Sequence, residues 1–131
     1  MNITVISVGK IKEKYFTAAI DEYSKRLSRF AKLNIIEVAD EKIPDNASEK
    51  EMEQIKEKEG NKILAKLPQN SFVVTLCIEG KEHSSEELAK KIADISMTSS
   101  HITFIIGGSL GLSDTVNSKS ALSLSFGKMT L

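Results

Sequence analysis

The sequence contains few of the residues that build disulfide-bonded or metal-bound scaffolds. Its 131 residues include one cysteine, two histidines, two prolines and no tryptophan. The single cysteine, Cys77, cannot form an intrachain disulfide, and its apolar surroundings predict a buried, unreactive thiol. The histidines, His83 and His101, flank loops without a nearby nucleophile pattern, so we expect ordinary surface residues. No metal site is expected, because a structural zinc site needs about four converging ligands.

Long apolar runs and net charge are also missing. The apolar stretches are strand-sized, so we expect no signal peptide, no membrane span and a cytoplasmic location. Eighteen basic and eighteen acidic residues cancel, and bulk charge therefore gives no reason to expect a nucleic-acid partner. Basic residues nevertheless gather near the N-terminus, on a patch that meets either RNA or only solvent: Lys10, Lys12, Lys14, Arg26 and Arg29.

What the sequence does contain suits one domain. A chain that is 40% hydrophobic and 27% charged predicts a single compact domain over residues 1–131, with no room for a second. Glu79-Gly80 is expected to end the third strand of this domain, and the alternation of the last strand predicts that it is half-exposed. Short β-branched or apolar runs predict five strands in all: Ile3–Val8, Leu33–Val38, Ser71–Ile78, Ile102–Ile106 and Leu122–Phe126.

Helical patterns separate these strands. Two pairs with capping-box spacing, Ser48 with Glu51 and Ser84 with Glu87, predict the starts of two helices. A short helix is expected near residues 113–119. Apolar residues at alternating steps of four and three predict another helix over residues 12–30, with one buried face: Phe16, Ile20, Tyr23, Leu27 and Phe30.

The helix that begins after Ser48 carries an acidic run from Glu49 to Glu59. Carboxylates alternate with lysines at spacings that favour pairing, so we interpret the run as a solvated helix face. Gly60 is expected to weaken the middle of this helix, and Pro68 to end it.

Alternating strands and helices predict an α/β fold, a mostly parallel open sheet with helices on both faces. In such sheets ligands collect at the carboxyl ends of the strands. Three of these ends are of interest: residues 76–80, the glycine-rich residues 107–111, and residues 127–130. The glycines either let backbone approach a ligand or only turn the chain, and their spacing matches neither a P-loop nor a dinucleotide-binding motif.

Several blocks, in order along the whole sequence, resemble the ribosomal RNA large subunit methyltransferase H family. The most specific are Val8–Tyr15, Lys56–Gly60 and Ile105–Leu112; Ile35–Val38 with Asp40–Lys42, and Leu124–Phe126 with Lys128–Thr130, add to them. The resemblance implies a SPOUT-type α/β-knot enzyme, homodimeric, with a trefoil knot in its carboxyl-terminal region. It also implies the reaction, which is transfer of a methyl group from S-adenosylmethionine to N3 of a pseudouridine in the large-subunit (23S) ribosomal RNA of the ribosome.

The resemblance further implies the residues that bind the methyl donor, while it assigns no catalytic residue in this sequence. The donor-binding positions are Leu76, Gly108, Gly127, Lys128, Met129, Thr130 and Leu131. They lie at the three strand ends that the sheet argument selects. Gly127 and Leu131 stand where the family has serine and phenylalanine.

Members of the family continue past the position of Leu131 with the final knot helix and a Tyr-His tail associated with catalysis. The resemblance therefore implies a domain that is incomplete at its C-terminus and lacks that helix. An alternative function follows, a catalytically silent fragment or nucleotide-binding module that retains part of the donor crevice. A flavodoxin-like or receiver domain would share the sheet, but it explains the Lys128–Thr130 block less well.

Overall fold

The computed structural model describes residues 1–9, Lys25 and residues 28–125, without the side chains of Ile78, Glu79 and Ser85. Most of the helix predicted over residues 12–30 lies outside the described residues. The end of that prediction is wrong for Phe30, whose side chain is 81% exposed rather than buried. Residues 28–30 form a turn that leads into the second strand, and this turn leaves the ring in solvent.

The described strands form one five-stranded sheet in the order β2-β1-β4-β3-β5, and all of its strand pairings are parallel. This confirms the predicted fold class, a parallel open α/β sheet. The strands are β1 (Asn2–Val8), β2 (Lys32–Val38), β3 (Phe72–Glu82), β4 (His101–Ile106) and β5 (Leu122–Ser125).

Helices cover both faces of the sheet, as predicted. The described helices are α1 (Glu49–Lys66), α2 (Ser85–Ser96) and the short α3 (Asp114–Asn117). Successive side chains of a strand point to opposite faces, so Val73 belongs to one core cluster and Val74 to the other. The first cluster includes residues of α1 and α3, Ile63 and Val116. In the second cluster, apolar residues of α2 pack against the strands: Leu88, Ile92 and Ile95.

The predicted end of β3 at Glu79-Gly80 is wrong, because the strand continues to Glu82. The pairing with β5 instead shifts register, so that Leu76 and Lys81 both lie opposite Leu124. A Cβ on Gly80 would lie 2.9 Å from backbone atoms of Leu124. The glycine therefore allows the two backbones to approach closely at an irregularity rather than ending the strand.

The last strand is less exposed than its alternation predicts. Leu124 is buried and Ser123 is exposed, as expected, but Ser125 is only 3% exposed. The two residues that pair with the extension of β3 are Leu124 and Ser125. Ser125, which the alternation predicts to be exposed, is therefore buried where it pairs with the longer β3.

Both capping boxes that the sequence predicts are present. The Ser48 side chain accepts a hydrogen bond from the backbone N–H of Glu51 at 3.2 Å, and the Glu51 carboxylate accepts one from the N–H of Ser48. Ser84 and Glu87 make the same reciprocal pair at 3.1 Å. The first helix ends at Lys66, with Leu67 as its C-cap directly before Pro68, where the prediction places its end.

The cap of α2 makes stability depend on pH. The backbone N–H of Ser84, followed by its side chain, lowers the pKa of Glu87. The stabilisation by the ionised carboxylate is therefore present above the ordinary pKa of a glutamate and is lost as pH falls through the lower folded-state value. We expect Glu87→Gln to flatten the acid-side decline of the free energy of unfolding, measured with denaturant from neutral pH to about pH 3.

The matched control is Glu86→Gln, because Glu86 is also in the first turn of α2 but takes no part in the capping box. An acid-side slope that changes equally in both variants would show that the cap of Glu87 is not its source.

Candidate functional site

Leu76 and Gly108 lie at the same edge of the sheet, the one formed by the carboxyl ends of its strands. Leu76 pairs with Ile106, the last residue of β4, and Gly108 follows two residues later. Leu76 also pairs with Leu124 of β5, so the carboxyl end of β5 lies at this edge too. Of the predicted donor-binding residues, the structure thus brings together these two, while Gly127, Lys128, Met129, Thr130 and Leu131 lie outside the described residues.

The sheet order is of the kind that favours a ligand-binding crevice at this end of the strands. The chain leaves β1 for the neighbouring β2 on one side, whereas it leaves β4 for β5 on the other side. Connections that diverge in this way leave a gap between the carboxyl ends of two adjacent strands, and ligands of open α/β sheets bind there. In this sheet the corresponding position is between Gly9 and Gly107, which directly follow β1 and β4.

The loop of residues 107–111, which we call the glycine loop, is a tight turn. The N–H of Gly111 donates to the carbonyl of Gly108 at 3.0 Å, and the two residues form an isolated antiparallel bridge. Gly111 has a φ of 83°, which requires glycine or a strained side chain. Gly107 needs its lack of a side chain for space, since a Cβ would lie 3.0 Å from Leu112 Cδ2.

Gly108 is crowded on its inner side. A Cβ there would lie 3.2 Å from Val8 Cγ1 and 3.4 Å from Glu59 Oε1. Both neighbours belong to the α1 side of the sheet, because Val8 packs against the first core cluster and Glu59 is in α1. We call the side of Gly108 opposite these two neighbours its outer side.

Leu76 and Ile106 provide an apolar surface beside this loop. As register partners they share a face of the sheet, the one covered by α2. Ile106 is 38% exposed although it belongs to a central strand, and Leu76 is half-buried. Sequence reasoning did not select Ile106, because its position in an apolar run gives the same signal as a core residue.

Glu59 is the second residue that the sequence analysis missed, and its assignment to a solvated helix face is wrong. Its side chain is buried, only 5% exposed. The carboxylate accepts a hydrogen bond from the N–H of Glu41 at 2.9 Å, and its oxygens lie 3.4 and 3.6 Å from the position that a Cβ on Gly108 would take. Other acidic residues of the run, such as Glu49 and Glu53, are exposed as expected.

The two histidines and the cysteine differ from their predicted surroundings. His101 is half-buried and its Nε2 lies 2.7 Å from Thr4 Oγ1, because it occupies the first position of a central strand. His83 is half-buried too, with Nδ1 3.1 Å from the carbonyl of Lys81. Cys77 is half-exposed rather than buried, with its Sγ 3.8 Å from Asn117 Oδ1.

The described residues form a concave surface that includes no residue of the glycine loop. It is an open groove of about 600 Å³ along α2, and it includes neither Leu76 nor Gly108. Its walls carry both charges, three lysines together with Glu87 and Asp94. The mixture gives no reason to assign a phosphate-binding role to the groove. The groove is lined by Phe72, Lys81, His83, Glu87, Lys90, Lys91, Asp94, Ile95 and Thr98.

The predicted basic patch can be assessed only at Arg29, which is exposed in the turn before β2. Lys10, Lys12, Lys14 and Arg26 lie outside the described residues, so an RNA contact by this patch stays a prediction. Over the part of the chain that the structure describes, no helix is long and apolar enough to cross a membrane, and no group of three histidine, cysteine or acidic side chains could hold a metal ion.

Comparison with known proteins defines the class. A sequence model of a family described as predicted SPOUT methyltransferases matches residues 1–131. The fold, with its glycine loop at the carboxyl edge of a parallel sheet, agrees with that class. At the level of individual proteins, the chain is 62% identical over 131 residues to the ribosomal RNA large subunit methyltransferase H of Clostridium botulinum (strain Kyoto / Type A2).

That alignment covers 99% of this chain and 82% of the clostridial protein. The protein of the same name from Latilactobacillus sakei is 57% identical over 132 residues, which cover the whole chain and 83% of the relative. Identity this high over this much of both sequences leaves one assignment. The chain belongs to the ribosomal RNA large subunit methyltransferase H family of SPOUT methyltransferases.

Proposed function

We propose that the protein transfers a methyl group from S-adenosylmethionine to N3 of a pseudouridine in large-subunit ribosomal RNA. The observation that carries this proposal is the family membership, since relatives 57% to 62% identical are named as methyltransferases of that RNA. As proposed, the reaction takes place in the cytoplasm on the ribosome, and the enzyme acts as a homodimer.

The edge that holds Leu76 and Gly108 suits the methyl donor. Leu76 and Ile106 offer an adjacent apolar surface of the kind that an adenine ring covers. The glycine loop offers backbone groups on its outer side, because its inner side is filled by Val8 and Glu59. S-adenosylmethionine supplies an electrophilic methyl group on a positively charged sulfur.

The chain's contribution to this reaction is mainly one of positioning. Holding the methyl carbon in line with the attacking nitrogen can supply several kcal/mol, roughly 7–11 in well-oriented reactions. N3 carries a proton at neutral pH, so a base or a positive charge near it must favour its loss. We assign that role to none of the described residues.

The test is methyl transfer from labelled S-adenosylmethionine to ribosomes that lack the modification, followed by digestion of the RNA to nucleosides and mass spectrometry. We expect label in N3-methylpseudouridine. Label in another nucleoside would contradict the proposed substrate. Donor binding without transfer would instead support the alternative, a silent module that retains part of the donor crevice.

A matched pair of variants connects this activity to the sheet edge. Ile106→Asp places a charge on the apolar surface beside the glycine loop, whereas Ile35→Asp places one in the outer strand β2. The two isoleucines are similarly exposed, at 38% and 41%. Activity should be lost in Ile106→Asp and retained in Ile35→Asp. Equal activity in both variants would contradict the assignment of the donor site to this edge.

A further inference from the structure

Two loops meet at one buried carboxylate, that of Glu59. The residue lies in the third turn of α1, on the side that faces the sheet. Burying a carboxylate away from water is costly unless the group is hydrogen-bonded. The position of a buried carboxylate is therefore restricted by the groups that donate hydrogen bonds to it.

The first contact of this carboxylate is with the loop after β2. Glu59 Oε2 accepts from the N–H of Glu41 at 2.9 Å. One turn later Lys62 contacts the same loop, because its Nζ donates to the carbonyl of Ala39 at 3.1 Å and pairs with Glu41 Oε1 at 3.1 Å. Two side chains of α1 thus hold this loop, and one of them is buried.

The second neighbour of the carboxylate is the glycine loop, where Gly108 has no side chain on the side of Glu59. The two carboxylate oxygens of Glu59 lie 3.4 and 3.6 Å from where a Cβ of Gly108 would be. Val8 Cγ1, at the end of β1, lies 3.2 Å from the same position. Among the recorded contacts of the described residues, Lys62 has none with Gly108. Glu59 and Lys62 both bind the loop after β2, but only Glu59 also lies beside the glycine loop.

We infer that Glu59 is a positioning residue, whose buried carboxylate sets the place of the glycine loop for the methyl donor. It does so by supporting Gly108 from the inner side while the N–H of Glu41 fixes the carboxylate itself. This inference rests on the proposed function for the identity of its ligand, S-adenosylmethionine. The support of the glycine loop by Glu59 is independent of the proposed function.

The test compares two substitutions at this position. Glu59→Gln keeps the length of the side chain and an oxygen that can accept from Glu41, so the Kd and KM for S-adenosylmethionine should stay within about twofold of wild type. Glu59→Asp keeps the charge but withdraws the carboxylate by one methylene. We expect it to raise that KM about tenfold, a change typical of losing one well-placed contact, with kcat at saturating donor within about twofold.

Lys62→Ala is the matched control, because it loosens the post-β2 loop without touching Gly108. It should leave the KM for the donor unchanged. If Lys62→Ala raises this KM as much as Glu59→Asp does, the effect passes through the post-β2 loop and the inference is overturned. Wild-type binding by Glu59→Asp, or equal weakening by the Gln and Asp variants, would overturn it as well.

A second readout needs no ligand and separates this inference from the proposed function. The N–H of Gly111 is bonded to the carbonyl of Gly108, so its hydrogen exchange reports on the glycine loop. Exchange at Gly111 should be about tenfold faster in Glu59→Asp than in wild type or Lys62→Ala. Unchanged exchange would overturn the inference even if the donor binds, and failure of the wild type to bind the donor would count against the proposed function alone.

Discussion

Replacing Gly60 by leucine is expected to destabilise the protein by about 3 kcal/mol or more. A Cβ at this buried position of α1 would lie 2.5 Å from Ser113 Oγ and 3.1 Å from Val116 Cγ2. Both neighbours are fully buried residues at the start of α3, so they have little space in which to move. Leucine is a good helix former, and the loss therefore measures packing rather than helix propensity.

The expected loss is large beside the roughly 5–15 kcal/mol that stabilise a typical domain. It should lower the Tm by about 10 °C, measured by calorimetry. The control is Asn61→Leu, at the next and exposed position of the same helix, which should change stability by less than about 0.5 kcal/mol. Equal losses at both positions would show that α1 and α3 do not pack as closely as the structure has them.

A rescue experiment identifies the atom responsible. Ser113 Oγ caps α3 by accepting from the N–H of Val116 at 3.3 Å, and glycine replaces a capping serine at a loss of only a few tenths of a kcal/mol. The milder Gly60→Ala should therefore be less destabilising when combined with Ser113→Gly than when it stands alone. A double variant that shows the simple sum of both losses would contradict the contact.

Replacing Gly108 by valine is expected to weaken binding of S-adenosylmethionine about a hundredfold, or ~2.7 kcal/mol. The new side chain would point inward, onto Val8 and Glu59. The added side chain would press on Val8 at the end of β1, so we expect the glycine loop to move outward, into the space that we propose for the donor. Calorimetric titration of the variant and of the wild type measures the change.

The control for this variant is Lys119→Val, at an exposed position just beyond α3. It should bind the donor as the wild type does. The Tm of Gly108→Val should fall by only a few degrees, on the order of 1 kcal/mol, because the loop lies at the rim of the sheet. If Gly108→Val binds the donor as the wild type does and has an unchanged Tm, the close approach of Val8 to this position is contradicted.

The sequence predicts the local features of this fold well, since they depend on neighbours along the chain. Both capping boxes are of this kind, because a serine and a glutamate three residues later satisfy each other's backbone donors wherever the helix lies. The end of α1 before Pro68 is local too. The order of strands and helices follows from runs and periods, which is why the parallel α/β class could be predicted.

Features that depend on tertiary contacts could not be predicted in the same way. Glu59 has lysine neighbours in sequence and reads as one more residue of an exposed acidic run, yet the loop after β2 covers it. Gly80 reads as the end of a strand, although its role is to admit the backbone of β5. Neither contact partner is visible in a local pattern.

The candidate site shows the same division. The sheet argument identifies the strand ends at Leu76 and Gly108, because loops of a parallel sheet gather at one edge. The exposed Ile106 could not be distinguished from a core isoleucine, since its exposure depends on where the neighbouring loops turn away. The glycines of the loop were predicted, but Gly108 has no positive φ, and its lack of a side chain instead avoids a close approach to Val8.

The proposed function depends on a binding site for the methyl donor at the sheet edge that holds Leu76 and Gly108. The most direct measurement is a calorimetric titration of the protein with S-adenosylmethionine and, separately, with flavin mononucleotide, repeated with Ile106→Asp and Ile35→Asp. We predict saturable binding of S-adenosylmethionine that survives in Ile35→Asp and is lost in Ile106→Asp, with no binding of the flavin. Absence of donor binding to the wild type, or equal donor affinity in both variants, would contradict it.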